Sequence, residues 1–251
     1  KKNFDEAELL KVIKPSSDRI EAKCEVFGRC GGCSLQHISE DYQRLIKEKA
    51  LLNSLNKIAK VKPKFNLSPV KGPVWGYRRK ARIAVKDVFA KGRVLVGFRE
   101  KHAPFITDMH HCDILASPVG NILDELSELI SKLSIRARVP QIEIAVADNA
   151  TALVFRVLDK PNNRDLQHLI MFGLEKKYLI YLQPGDLNSL QLINYEKEEE
   201  LLNYYLPEFD VKIEFSPVDF IQINNDINKK MVNLAVKLLD PKPEDLVLDL
   251  F

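Results

Sequence analysis

Hydrophobic and polar residues along the chain follow two periods, and each predicts its own kind of element. From Tyr42 to Ile58, the residues Tyr42, Leu45, Ile46, Leu52 and Leu55 recur near one face of a helix. After Ser117-Pro118, an N-cap followed by a first-turn proline, Val119, Ile122, Leu123, Leu126, Leu129, Ile130 and Leu133 keep a steady three-to-four spacing and predict a second helix. Asn163 to Phe172 reads as a short helix, and Ile227, Met231, Leu234, Ala235 and Leu238 mark another. Arg78–Val85 and Arg93–Phe98 read as strands turning about Lys91-Gly92. Gln141–Ala147 and Thr151–Val157 alternate cleanly around Asp148-Asn149, a second hairpin. Tyr178–Leu182 and the alternation of Val211, Ile213 and Phe215 predict two more strands. Pro63, Pro69 and Pro73 break the chain between the first helix and the first hairpin.

The ends carry apolar runs without partners. Leu246–Leu250 suits a strand buried on both faces of a parallel sheet, yet the sequence stops there. Glu8–Ile13 reads as a lone strand before Pro15. Truncation at both ends is therefore expected. The fold class expected is α/β, with a mixed α+β central domain and the start of a doubly wound domain at the end. No stretch approaches the roughly 20 apolar residues of a membrane helix, and the charged start leads into no signal-peptide core. A cytoplasmic location follows as the expectation.

Net charge is only +3 over 251 residues, but it is unevenly spread. Between Lys71 and Lys101 lie ten basic residues against Asp87 and Glu100, an excess suited to a polyanion. Arg78, Lys80 and Arg82 alternate, so they can share one strand face while Ala81, Ile83 and Val85 face a core. Arg79 breaks that pattern and is expected to reach around the edge. Tyr77 and Phe98 are candidates for stacking unpaired bases; Trp75 reads as a packing residue. From Gln191 to Asp210 six acids face only Lys197, which reads as a solvated face.

The four cysteines are Cys24, Cys30, Cys33 and Cys112, spaced C-x5-C-x2-C and then one after a long gap. The first three sit among Gly28, Gly31 and Gly32, and glycine permits the sharp turns that let thiolates converge. Four thiolates are the ligand set of a [4Fe–4S] cluster or of zinc, and spacing alone favours neither. His37, His110 and His111 lie nearby and read as surface or hydrogen-bonding residues.

Cys24-x5-Cys30-Gly31-Gly32-Cys33-Ser34-Leu35-Gln36-His37 resembles the cluster motif of the bacterial 23S ribosomal RNA uracil-C5 methyltransferases. Trp75-Gly76-Tyr77-Arg78-Arg79-Lys80-Ala81-Arg82 and Val96-Gly97-Phe98-Arg99 resemble that family's basic strands. His111-Cys112-Asp113-Ile114-Leu115 resembles the segment giving a fourth ligand. Phe215–Asn224 and Leu248-Asp249-Leu250-Phe251 resemble the entry to its methyl-donor domain. The nearest branch is that acting at uracil 1939.

The resemblance implies three parts. Residues 1–22 are the end of a TRAM-like RNA-binding barrel, and 23–218 a central iron–sulfur and RNA-binding domain. Residues 219–251 begin a Rossmann-like S-adenosylmethionine domain, with 35–69 able to pack on that catalytic part. It also implies a [4Fe–4S] cluster on Cys24, Cys30, Cys33 and Cys112. Gln222 and Phe251 become contacts to S-adenosylmethionine, with Asp249 a weaker candidate at a strand's carboxyl end. Arg78, Arg79, Lys80, Arg82 and Arg99 become RNA contacts. The partner is 23S rRNA, and the protein is expected to be a monomer. The family chemistry is a thiolate adding at uracil C6, methyl transfer to C5, and proton removal by a carboxylate. With all four cysteines assigned to the cluster, the nucleophile and base are expected beyond Phe251, and this chain is expected to be inactive alone. Two other readings stand beside it: a zinc- or cluster-stapled RNA-binding module without catalysis, and an iron–sulfur electron carrier, which the basic segment disfavours.

Overall fold

The computed structural model describes residues 9–195, 201–248 and 250. The chain divides into two compact units, residues 1–27 with 33–69, and residues 28–32 with 70–251.

The first unit is a loop and one helix. Helix α1 spans Glu40–Lys57, with Glu40 and Asp41 in its first turn and Lys57 in its last, the polarity its macrodipole favours. None of its residues is buried. The Gln43 amide donates to Leu35 O at 3.0 Å and to Ile38 O at 2.9 Å, pinning the preceding loop to the helix. Arg19 and Ile38 form an isolated bridge. The strand expected over 8–13 does not form across its described residues 9–13, where Leu10 and Ile13 are exposed. A short apolar segment cannot make a strand without a partner to take its hydrogen bonds.

The second unit is built on a six-stranded sheet ordered β2-β1-β3-β4-β5-β6. Its strands are β1 (Lys80–Val88), β2 (Arg93–Gly97), β3 (Gln141–Val146), β4 (Thr151–Arg156), β5 (Tyr178–Gln183) and the short β6 (Gln191–Leu192). All pairings are antiparallel except β4 with β5, which are parallel. A parallel pair needs a crossover. Here that crossover carries α3 (Asn163–Lys176), started by a capping box between Asn162 and Asp165. The β1–β2 turn closes at Gly92, whose φ of 62° is the left-handed geometry glycine tolerates.

Two layers cover the sheet. Helix α2 (Leu123–Ser131) lies against β2 and α3 against β5. A Cβ on Gly173 of α3 would meet Ile180 Cγ1 at 2.4 Å, so helix and strand are at closest approach there. A two-stranded hairpin, β7 (Leu202–Leu206) and β8 (Val211–Phe215), covers the other face. Its Leu202 and Phe215, with Ile221, pack on Ala145, Ala152, Val154 and Tyr181. Helix α4 (Asn225–Leu239) follows, capped by the Asn224 side chain on Ile227 N–H.

Three further expectations change. The helix after Ser117 begins only at Leu123, with Val119–Asn121 forming a 3-10 turn and no side-chain cap. The segment 201–206 is not solvated face: Leu202, Asn203 and Leu206 are buried in β7, while 196–200 lie outside the described residues. The strand expected at 246–250 is not formed across its described positions, and Leu246, Leu248 and Leu250 are exposed.

Candidate nucleic-acid interface and cysteine loop

Strand β1 sorts its basic residues by parity. Ala81, Ile83 and Val85 are buried, as their alternation requires. Arg78, Arg82 and Ala84, of the opposite parity, line an open cleft of about 580 Å³. Phe98, Arg99, Lys101 and Gln141 complete its basic and polar wall, with Gly31 and Gly32 of the cysteine loop beside them. Lys101 was counted in the basic segment but not among the expected RNA contacts, and Gln141 was read only as a strand residue. Only the register of β1 on β3, Arg82 opposite Glu143 and Ala84 opposite Gln141, brings Gln141 there.

The cations of the cleft differ in how free they are. Arg82 is two-thirds exposed, but its Nε and Nη2 bond Glu143 Oε1 at 3.0 and 2.8 Å. Glu143 is itself buried, so it acts as a fixed counter-charge that aligns the guanidinium. Lys80 turns inward instead: its Nζ donates to Pro217 O and sits 3.8 Å from Glu143. Burial pulls the Lys80 amine below its ordinary range, and Glu143 opposes that shift. Arg78 lies over the Phe98 ring at 5.5 Å and donates from Nε to Lys80 O. A Cβ on Gly32 would meet the Phe98 ring at 3.3 Å, so this ring is packed between Gly32 and Arg78. Phe98 therefore supports Arg78, and the stacking role expected for it is not the one its contacts favour. Arg99 is exposed and donates to Pro104 O.

Arg79 does not reach around the edge to this cleft. It lies just before β1 and is 3% exposed. Its backbone N–H donates to Ile223 O at 2.9 Å and its Nε to Gln222 O at 3.0 Å. The guanidinium stacks on the Tyr204 ring at 4.4 Å, a contact worth about 0.5–2 kcal/mol. Burial lowers its pKa from the ordinary value, and Asp148 opposes that.

The cysteine loop joins the same strand system. Gly31 N–H donates to Arg99 O and Lys101 N–H to Arg29 O, at 2.8 and 2.9 Å, about a Cys30–Glu100 bridge. A Cβ on Gly31 would lie 2.8 Å from Arg99 O, which explains a glycine there. Cys30 and Cys112 are buried in the second unit; Cys24 and Cys33 belong to the first. None of the four is in a disulfide. Gly32 N–H donates to Cys30 Sγ at 3.4 Å, and Cys24 N–H to Gln36 Oε1 at 3.1 Å. The thiol chemistry thus fits a thiolate-bound group. Among the described residues, however, no three Cys, His, Asp or Glu side chains are gathered as a metal site. His110 instead bonds Asp124 through Nδ1 at 2.9 Å, the hydrogen-bonding role expected of it. Gln222 is exposed, while Asp249 and Phe251 lie outside the described residues.

No family model matches. The whole chain aligns at 42% identity with the 23S rRNA (uracil(1939)-C(5))-methyltransferase RlmD of Methylococcus capsulatus, over 56% of that protein. It aligns at 44% with the same-named protein of Alkalilimnicola ehrlichii, again over 56% of it, and at 43% with that of Cupriavidus metallidurans, over 53%. The chain is homologous throughout to these rRNA uracil-C5 methyltransferases. It spans about half the length of the curated relatives it matches. A crystal structure of the Pyrococcus abyssi tRNA (uracil-54, C5)-methyltransferase with S-adenosyl-L-homocysteine superposes with a TM-score of 0.60. That match covers 92% of this chain and 53% of the other, at 21% identity, and establishes a shared fold. Among the described residues no helix is long and apolar enough to cross a membrane.

Proposed function

We propose that this chain is the RNA-holding part of a cytoplasmic enzyme that methylates carbon 5 of a uracil in 23S rRNA, with S-adenosylmethionine as methyl donor. The observation that carries the reading is the unbroken 39–44% identity over nearly every residue to relatives so named. The basic cleft supports it physically. Arg78, Arg82, Arg99 and Lys101 give phosphate-binding charge on a sheet face that the β7–β8 hairpin leaves open. Uracil 1939 is the target the relatives' names suggest.

In this proposal Cys24, Cys30, Cys33 and Cys112 hold a [4Fe–4S] cluster, which when bound would fix the loop that walls the cleft. None of the four thiols is tied up in a disulfide, and the Gly32 N–H on Cys30 is the kind of donor that steadies a thiolate. With these cysteines so assigned, none remains to attack uracil C6, and the chain by itself transfers no methyl group. Gln222 contacts the donor from the segment that Arg79 holds. Residues 1–22 end a TRAM-like barrel, and 219–251 open a Rossmann-like domain.

The test uses the whole protein that contains this chain, purified without oxygen. Iron analysis is expected to give about four irons per chain with a broad absorption near roughly 400 nm. Transfer of labelled methyl to a 23S rRNA transcript is expected at a single uracil. A protein that methylates no uracil, or only tRNA, would overturn the assignment. A colourless protein with one zinc would remove the cluster and leave a zinc-stapled RNA-binding module.

A further inference from the structure

Arg79 is the most deeply buried cation of the basic segment, yet two of its three guanidinium nitrogens are unused. Its Nε serves Gln222 O, but Nη1 and Nη2 have no hydrogen-bond partner. Unmet buried donors are destabilising, the more so when charged. Stacking on Tyr204 offsets only part of that.

The same side chain lines a cavity of about 340 Å³, shared with Tyr77, Asn225 and Lys229. This lies at the small end of the roughly 300–1,000 Å³ of ligand sites, room for one nucleotide. Two carboxylates border it, but both are engaged. Asp148 accepts from Tyr205 N–H, Asn225 Nδ2 and Lys229 Nζ, and Asp226 pairs with Lys230. Asn225 Oδ1 is buried without a partner. The unpartnered groups on its lining residues are thus the guanidinium N–H donors and one amide oxygen, which a ligand meets only once a neighbouring side chain gives way. The first call for an anionic oxygen; the second accepts a hydrogen bond from a base or a ribose hydroxyl.

We propose that this cavity is a nucleotide subsite, in which Arg79 and Lys229 take a phosphate of the RNA chain and Asn225 Oδ1 accepts from its nucleoside. It is separate from the open cleft: Arg78 and Arg82 line one, and Arg79 the other. The subsite rests on RNA being the partner, and the experiment keeps the two readings apart.

Calorimetric titration of the protein with uridine 5′-monophosphate, uridine and inorganic phosphate reads the cavity directly. The monophosphate is expected to bind at least about ten-fold more tightly than uridine, one charge-assisted contact's worth. Arg79 variants risk misfolding, since Nε holds the 222–223 segment. Asn225→Asp and Lys229→Glu instead add negative charge at the cavity, and each is expected to weaken the monophosphate by about ten-fold or more. Arg138→Ala, paired with Asp159 on the surface and absent from the cavity lining, is expected to match the parent. Circular dichroism confirms that each variant is folded. A short single-stranded RNA is titrated in parallel. RNA binding with no monophosphate binding, or with monophosphate binding indifferent to Asn225→Asp, would overturn the subsite and leave the RNA function standing. Inorganic phosphate matching the monophosphate would overturn it in favour of a free-anion site. No binding of either nucleotide or RNA would overturn both readings.

Discussion

Asp165 shows what a single buried carboxylate contributes. It is 1% exposed and accepts from Ser134 N–H, Ser134 Oγ and Asn162 N–H at 2.7, 2.6 and 3.2 Å. Burial alone would raise its pKa, but the bonds from Ser134 and Asn162 outweigh that and hold it below the ordinary 3.8. A depressed carboxylate stabilises the fold above its unfolded pKa, and that contribution fades as pH falls through the folded value. Asp165→Ala is expected to cost on the order of 2 kcal/mol near neutral pH, by loss of the capping box and of Ser134's partner. Urea melts at pH 7 and at pH 3 check it: the gap between parent and variant narrows at the lower pH. Single residues were unevenly legible in the sequence. The capping box of Asn162 and Asp165 is local, but Ser134 comes from 28 to 31 positions away, and nothing in the sequence announces it. Arg79 was misread because charge suggested a surface, while Tyr204 and the Gln222 carbonyl, both far along the chain, hold it inside.

At the scale of elements, the β3–β4 hairpin does more than pair strands. Its turn residue Asp148 takes N–H groups from Tyr205 and Asn225, and its own N–H goes to Asn203 O. Asn149 Oδ1 accepts from Asn203 N–H, and its amide donates to Leu201 O. One turn thus holds β7 and the start of α4. Asp148→Ala is expected to raise amide hydrogen exchange at residues 203–205 by about ten-fold, the equivalent of roughly 1.4 kcal/mol of local opening. Exchange in β1 is expected to stay as in the parent. Equal loosening throughout would show Asp148 to be a global support instead. Both hairpins of the main sheet were readable because alternation and a turn signal lie within a dozen residues. Strand β7 was hidden, since Leu202–Leu206 adjoins the acidic run and owes its burial to Ala145 and Val154 far up the chain. The late start of α2 has a similar cause: Cys112 N–H donates to Gly120 O, and a Cβ on Gly120 would lie 2.6 Å from Cys112 O. That contact, invisible in sequence, takes the first turn out of the helix.

For the whole molecule, charge placement governs what the protein can hold. The +3 total says little, whereas four basic side chains around one cleft predict an electrolyte effect. RNA affinity is expected to fall linearly on a log–log plot against salt. Arg99→Glu is expected to reduce that slope by about one phosphate's worth, near 0.7 for single strands. Filter binding at four salt concentrations measures both. An unchanged slope would remove Arg99 from the interface. The central fold and the basic strand could be read from periodicity and charge, while the family came from motifs in a fixed order. The partition into two units could not be read. It depends on residues 28–32 leaving their sequence neighbours to pair beside Arg99–Lys101.

That short strip has a topological consequence. The chain passes from one unit to the other after Phe27, after Gly32 and after Pro69. A protease that cut only after Pro69 would leave residues 28–32 attached to the first piece but hydrogen-bonded within the second. What then joined residues 28–32 to the second piece would be strand addition alone, through the backbone bonds at Arg29 and Gly31.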